Sequence, residues 1–242
     1  MSSYNALAFW YDQLTGDVPY SSFADFYEAE FSRCGGEFRL LLDLCCGTGT
    51  LTAEMSRRGY EMIGADASLE MLMQAREKSY ELPSPPLYLY QRAEELDLFG
   101  TVDAAYCSLD GINYLEPETL PEVFRRLHLF VRPGGLILFD VRLPKWFHSL
   151  DGKIFLDEKD GIFCVWRADF DPECQAVVYG MDLFEQQGEL WKRSGEEHVE
   201  YAHEPERLRE LLEQAGFRDV ILHQDGPQSD QGRMFITAVR ED

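Results

Sequence analysis

Residues 40–52 read L-L-L-D-L-C-C-G-T-G-T-L-T, and this run restricts the fold more than any other part of the chain. A Leu-rich run with an Asp near its end predicts a short strand buried on both faces. Gly47 and Gly49 predict a tight loop behind it, and helical spacing resumes over 51–58. A strand, a glycine loop and a helix N-terminus in that order form a pocket of nucleotide size, because glycines let a ligand approach the backbone closely. The spacing is D-x-x-x-G-x-G, which differs from the G-x-G-x-x-G that cradles a pyrophosphate. Asp43 precedes the glycines at the carboxyl end of the strand, where it can attract a cationic ligand.

The pattern that follows alternates between periods. Residues 61–65 form a second strand ended by Asp66, and 69–79 a helix that Ser68 can cap. The rigid Pro83-Ser84-Pro85-Pro86 loop leads into a short strand at 87–91, and a fourth strand spans 102–108. Residues 117–131 read as a helix closed by the breaker run Arg132-Pro133-Gly134-Gly135, before a fifth strand at 136–141 that is apolar up to Asp140. Strands alternating with helices predict βαβ units in a parallel sheet.

Two flanking regions differ from this core. Over 4–34, Leu7, Trp10, Tyr11 and Leu14, then Phe23, Phe26, Tyr27 and Phe31, recur at helical spacing, and residues 16–19 divide them into two helices. From about residue 145 the period becomes two. Residues 163–168 and 177–184 alternate, with turn signals at Asp171-Pro172 and Gln187-Gly188. Three or four antiparallel strands follow from this, with 190–193 and part of 197–201 completing the set. A helix opened by Glu204-Pro205-Glu206 and stopped by Gly216 comes next, then strands at 220–223 and 234–239.

In order, the glycine loop, the acidic end of strand two, the R-P-G-G turn and the closing helix-Gly-Phe-strand resemble class I S-adenosylmethionine (SAM)-dependent methyltransferases. The first motif of that family often reads D-x-G-x-G-x-G. Cys45 stands where the first of those glycines would be, and must adopt a conformation that Gly finds easier. The resemblance implies an α/β fold: a Rossmann-like seven-stranded methyltransferase sheet with helices on both faces and the last strand antiparallel. It further implies an N-terminal helical cap over 1–36 and a SAM-binding core over 37–144. An antiparallel β insertion over 145–202 would serve as the acceptor lid, and 203–242 would return to the core.

Charge narrows the partners. With 22 basic and 44 acidic residues the net charge is −22, so the chain repels phosphate backbones and anionic membrane surfaces. Acidity of this size serves solubility, the alternative being that it steers a cationic or amine-bearing substrate. The six cysteines contain no C-x-x-C pair and no zinc spacing, so no metal site is expected. Reduced thiols, no signal-peptide pattern at the start and no apolar run of about 20 residues predict a cytoplasmic protein without membrane spans. A homodimer is compatible with all of this.

The resemblance assigns candidate residues one by one. Asp43, Cys45, Gly47 and Gly49 would lie against the amino-acid end of SAM; for Asp43 the alternative is a structural carboxylate accepting loop N–H bonds. Asp66, about 20 residues on, would accept both ribose hydroxyls, or else cap a helix beside Ser68. Ala67 and Met71 would flank the adenine, Met71 being equally a core residue. Ala93 and Glu94 would frame the same ring, since Arg92 occupies the position where the family has an acid. Ser108 and Leu109 follow strand four, at the rim between sulfonium and acceptor. Cys107 has no His partner that would make it a nucleophile.

Catalytic roles rest on Tyr11, Tyr20 and His198. The aromatic faces of Tyr11 and Tyr20 suit a sulfonium or an amine, or they simply pack the cap helices. His198 stands among Glu196, Glu197 and Glu200; a carboxylate neighbour would make it a proton acceptor, and a solvated surface His is the alternative. In-line methyl transfer asks mainly for alignment and dehydration. The function expected is therefore SAM-dependent methylation of N or O on a small molecule, with S-adenosylhomocysteine as product. A non-catalytic SAM-binding subunit is the second reading, and a nicotinamide-dependent oxidoreductase, which would need G-x-G-x-x-G, the third.

Overall fold

Leu40–Leu44 is a strand, β1, with every residue from Leu41 onward buried. The structure, a computed structural model, describes residues 7–241, so residues 4–6 of the expected first helix lie outside it. Two helices precede β1: α1 (Leu7–Leu14) and α2 (Tyr20–Cys34), parted at the expected place. After the glycine loop come α3 (Thr50–Arg57), β2 (Glu61–Asp66), α4 (Leu69–Ser79), β3 (Leu87–Tyr90), β4 (Val102–Cys107), α5 (Leu120–Phe130) and β5 (Val131–Arg142). Ser68 caps α4 as expected, its hydroxyl accepting from the Met71 N–H at 3.2 Å.

The period-two region is a four-stranded antiparallel sheet of β6 (Lys153–Lys159), β7 (Ile162–Asp171), β8 (Ala176–Gln187) and β9 (Leu190–Tyr201), ordered 6-7-8-9. A short helix, α6 (Pro144–Leu150), leads into it. The chain closes with α7 (Pro205–Gln214), β10 (Phe217–His223) and β11 (Arg233–Arg240). The main sheet has the order 10-11-5-4-1-2-3. Strands 1 to 5 pair in parallel, and β11 is antiparallel to both β5 and β10. This is the Rossmann-like seven-stranded sheet, with the antiparallel insertion and the N-terminal helices that the sequence implied.

Alternation along the strands decides which layer each side chain joins. Leu41 faces α2 and α3, within a cluster that holds Phe23, Tyr27, Met55, Tyr106 and Phe235. Leu42 faces α5 and α7, with Phe124, Leu127, Leu208 and Ile236. Burial of each such leucine contributes roughly 2 kcal/mol, and it fixes β1 at the centre of the sheet. The loops at the carboxyl ends of β1 and β4 are thereby held side by side, where open α/β sheets bind ligands.

Two elements depart from the sequence reading. The Arg132-Pro133-Gly134-Gly135 run lies inside β5 rather than ahead of it, as an irregular start where the pairing with β4 shifts register. Residues 190–193 and 197–201 form one strand, and the fourth strand of the insertion is Lys153–Lys159. Its side chains are exposed except at one partly buried position, so it carries no two-residue alternation to detect. Among the described residues no helix is long and apolar enough to cross a membrane.

Candidate active site

The β1–α3 loop has the backbone of a ligand cradle. Cys45, Gly47 and Gly49 all have positive φ, at 57°, 54° and 67°. Cys45 thus occupies a left-handed conformation that costs a non-glycine residue about 1 kcal/mol or more. A Cβ on Gly47 would meet nothing within 4 Å, whereas one on Gly49 would lie 2.6 Å from the Tyr88 hydroxyl and 2.8 Å from Ala75. Gly49 is needed for packing. Gly47 leaves open space beside the backbone.

Carboxylates flank that loop. Asp66 Oδ2 accepts the Gly47 N–H at 2.8 Å, and its Oδ1 accepts the Ser68 N–H at 2.8 Å. Desolvation raises the Asp66 carboxyl from its ordinary range, opposed by those N–H bonds. The side chain keeps part of its surface exposed, and each carboxylate oxygen has a second lone pair for a hydroxyl. Asp43 lies deeper, 2 % exposed, and accepts from the Thr52 hydroxyl at 2.5 Å. Burial pushes its pKa up to about 7, with the Thr52 bond acting the other way. Asp43 is thus placed to tie β1 to α3, through a helix hydroxyl rather than the loop N–H bonds of the structural alternative.

Helix α1 closes the loop from above. Thr48 Oγ1 donates to Asp12 at 2.6 Å, and Lys78 pairs with Asp12 at 2.5 Å. The same helix packs Leu7 and Trp10 on the four-stranded sheet, with Trp10 Nε1 donating to Glu185 at 2.9 Å. Tyr11 and Tyr20 are both partly buried here. The Tyr11 hydroxyl is raised chiefly by burial, then by Tyr20, Asp110 and Glu200; for Tyr20 burial is again the main cause. Tyr11 packs against the apolar cluster that joins α1 to the four-stranded sheet.

The other predicted cofactor residues fall on the same rim. Ala93 is buried in a single 3-10 turn, Ala93–Glu95, and Glu94 pairs with Arg92 at 2.5 Å. Ala67 is exposed just beyond β2, and Met71 is core at 2 % exposure. Ser108 shares a hydrogen bond of 2.6 Å with Tyr27. Leu109 and Asp110 have positive φ, and their N–H groups donate to the two oxygens of Asp140 at 2.8 and 2.9 Å. Asp140, buried at the end of β5, thus holds the strained turn after β4 at the mouth of the site.

His198 is not a surface residue. It is 2 % exposed, its Nε2 lies 3.2 Å from Glu196, and its ring meets Tyr114 edge-on at 6.3 Å. The solvated alternative fails because alternation on β9 turns even-numbered residues from His198 onward inward. Sequence reasoning missed a larger group beside it. Arg233, 3 % exposed, donates to Asp110 at 2.9 Å and to Asp140; Arg142 lies 3.7 Å from Asp110; and Glu200, buried on β9, feels all three of Asp110, Arg142 and Arg233. The signal was faint but present: Asp140 ends an otherwise apolar strand. Among the described residues no group of His, Cys, Asp and Glu is arranged to hold a metal ion.

These features fit SAM. Open space at Gly47, two acidic strand ends and aromatic rings from the cap suit a molecule with a ribose, an amino-acid tail and a positive sulfur. Comparison with known proteins agrees. The profile of a family described as "Methyltransferase domain" matches residues 41–135. The putative methyltransferase YqeM of Bacillus subtilis is 30% identical over 97% of this chain and 96% of its own. A SAM-dependent methyltransferase from Clostridium acetobutylicum superposes with a TM-score of 0.84, at 26% identity over 99% of both chains. The sugar N-methyltransferase KedS8 from Streptoalloteichus has the same fold, with TM-score 0.82 and 19% identity, covering 100% of this chain and 95% of that one.

Proposed function

This chain belongs to the class I SAM-dependent methyltransferase family, and we propose that it methylates N or O of a small molecule held beneath the four-stranded sheet. It is an enzyme and its methyl donor is SAM. The observation that carries the finer reading is closure on two sides. Asn113 Nδ2 donates to the Tyr201 carbonyl of β9 at 2.8 Å, and its Oδ1 accepts the Arg142 N–H at 2.9 Å. Lid and core are stitched together there, while α1 is latched to the glycine loop through Asp12. An acceptor enclosed by such a frame is small, and a net charge of −22 disfavours polyanions.

SAM, when bound, supplies an electrophilic methyl group on a positively charged sulfur. Gly47 and Asp66 hold the donor's polar ends, with Cys45, Gly49, Ala67, Ala93, Glu94, Ser108 and Leu109 forming the rest of its cradle and Asp43 supporting it from below. Tyr11 and Tyr20 present their rings to positive charge and exclude water from the transfer path. His198 backs the lid side through Glu196 and Tyr114. Segments 37–144 and 203–242 are read as the SAM-binding core, 1–36 as its cap and 145–202 as the acceptor lid. A cytoplasmic location and an optional homodimer belong to the same reading.

Calorimetry with SAM, followed by S-adenosylhomocysteine production with a panel of amines and phenols, tests it. Micromolar SAM binding and turnover on at least one small acceptor are expected. Methylation confined to protein or nucleic-acid acceptors would sink the small-molecule assignment.

A further inference from the structure

The lid and the core meet at a buried charge cluster that has one more acid than it has bases. Asp110 and Asp140 lie against Arg142 and Arg233, and Glu200 of β9 is 7 % exposed on the same cluster. The groups that act on Glu200 come from every element around it: Asp110 after β4, Tyr114 in the 3-10 turn Gly111–Tyr114, Arg142 on β5 and Arg233 on β11. Tyr179 of β8 and Tyr11 of α1 feel Glu200 in turn, Asp12 acts on Tyr11, and the Glu196–His198 pair precedes Glu200 on its own strand. Three carboxyls against two guanidiniums leave one negative charge to be met by a proton or by a cation. A buried carboxylate without such compensation is very costly.

Its position decides which. The turn of Ser108, Leu109 and Asp110 runs from the glycine-loop side of the site to this cluster: the Cβ position of Gly111 lies 2.6 Å from Cys107 Sγ and 3.1 Å from Cys45 Cβ. Glu200 shares the inward face of β9 with His198, whose ring meets Tyr114, and precedes Tyr201, whose carbonyl accepts from Asn113. It therefore lies over the turn that follows β4, with Tyr114, Tyr179 and Tyr11 acting on it or feeling it. Tyrosine faces and a carboxylate recognise an ammonium group.

We propose that Glu200 selects an amine as the methyl acceptor, pairing with its ammonium form and then taking the proton that frees the nitrogen lone pair. This rests on the reading that the acceptor lies beneath the lid. In the protein without acceptor, burial and Asp110 hold the Glu200 carboxyl at about 8, so it is protonated at neutral pH. The arriving ammonium displaces that proton to solvent. A proton then returns from nitrogen to Glu200, and nitrogen bonds to the methyl carbon as the carbon–sulfur bond breaks with its electron pair remaining on sulfur. The product leaves as a secondary ammonium, and the overall reaction yields one proton.

Cyclohexylamine and its uncharged counterpart cyclohexanol, titrated into the S-adenosylhomocysteine-loaded protein at pH 7, provide the test. Calorimetry in two buffers of different ionisation enthalpy counts protons. The wild type is expected to bind the amine at least about tenfold more tightly than the alcohol, roughly 1.4 kcal/mol, and to release up to about one proton on binding. In Glu200→Gln the preference should fall below about threefold and the release vanish, while Glu200→Asp keeps both. No preference or no proton release in the wild type, or a preference that survives in Glu200→Gln, overturns the inference. If Glu200→Gln does not fold, the wild-type measurements decide alone. Failure to bind S-adenosylhomocysteine would instead count against the reading of the cofactor cradle, so the two failures are distinguishable.

Discussion

Gly47 and Gly49 stand two residues apart with similar positive φ, yet their surroundings differ. A methyl group at Gly47 meets only the cost of a left-handed conformation, about 1 kcal/mol. At Gly49 it adds overlap with Tyr88 and Ala75, so Gly49→Ala should lose about 2–4 kcal/mol in urea unfolding against about 1 for Gly47→Ala. If the open side of Gly47 faces the donor as proposed, the order should invert for SAM relative to stability. Equal stability losses for the two variants would contradict this division. At Asp66 both oxygens hold loop N–H groups. Asp66→Ala is therefore expected to weaken SAM at least tenfold, about 1.4 kcal/mol, and a change within threefold by calorimetry would remove Asp66 from the cradle. The loop itself was legible because its chemistry is local. Glu200 was not, because Asp110, Arg142 and Arg233 meet it only after three distant segments fold together.

At the scale of elements, the parallel core could be read nearly to the residue, since buried strands and amphipathic helices each impose their period. The insertion could not be read so closely. Ile154, Phe155 and Leu156 are consecutive exposed apolar residues on an edge strand, and an edge with no buried face has no alternation to betray it. The R-P-G-G run misled for a different reason: β5 starts irregularly, where its register against β4 slips, and such a start tolerates breakers. The four-stranded sheet, proposed as the acceptor lid, is joined to the core by Asn113, which is fully buried and bonds to both β9 and β5. Asn113→Ala would leave the Tyr201 carbonyl and the Arg142 N–H without that partner, at about 1–3 kcal/mol each. The effect should fall on the acceptor. We expect KM for the acceptor to rise by tenfold or more while SAM affinity stays within about threefold, 0.7 kcal/mol. Loss of SAM affinity by a like factor would mean that Asn113 supports the whole site rather than the lid.

Across the whole molecule, the buried acids give an unusual pH dependence. Asp43 is raised to about 7 and Glu200 to about 8, both chiefly by burial, and Asp66 and Asp140 are raised as well. Unfolded carboxyls titrate near 4. Between about pH 5 and 8 the native state thus holds protons that the unfolded chain has already lost, and stability must fall as pH rises through that window. On the acid side other groups act in the opposite direction. Some burial notwithstanding, N–H bonds and Arg132 lower Asp103, arginine or N–H partners lower Glu122, Asp171 and Asp182, and burial lowers His128 and His203. Stability therefore declines again in acid, the histidines contributing below about pH 6.5 and the carboxyls below about pH 4. The lowered carboxyls titrate below the window in which Asp43 and Glu200 act, so the urea midpoint should peak near pH 5–6 and drop by pH 8.5. General repulsion from the −22 charge works in the same direction, but salt screens it and leaves buried groups almost untouched. In 0.5 M salt, therefore, Glu200→Gln should be more stable than wild type at pH 8.5 and equal to it at pH 5.5. A wild-type midpoint that stays level to pH 8.5 in salt would show that the cluster is not short of a cation.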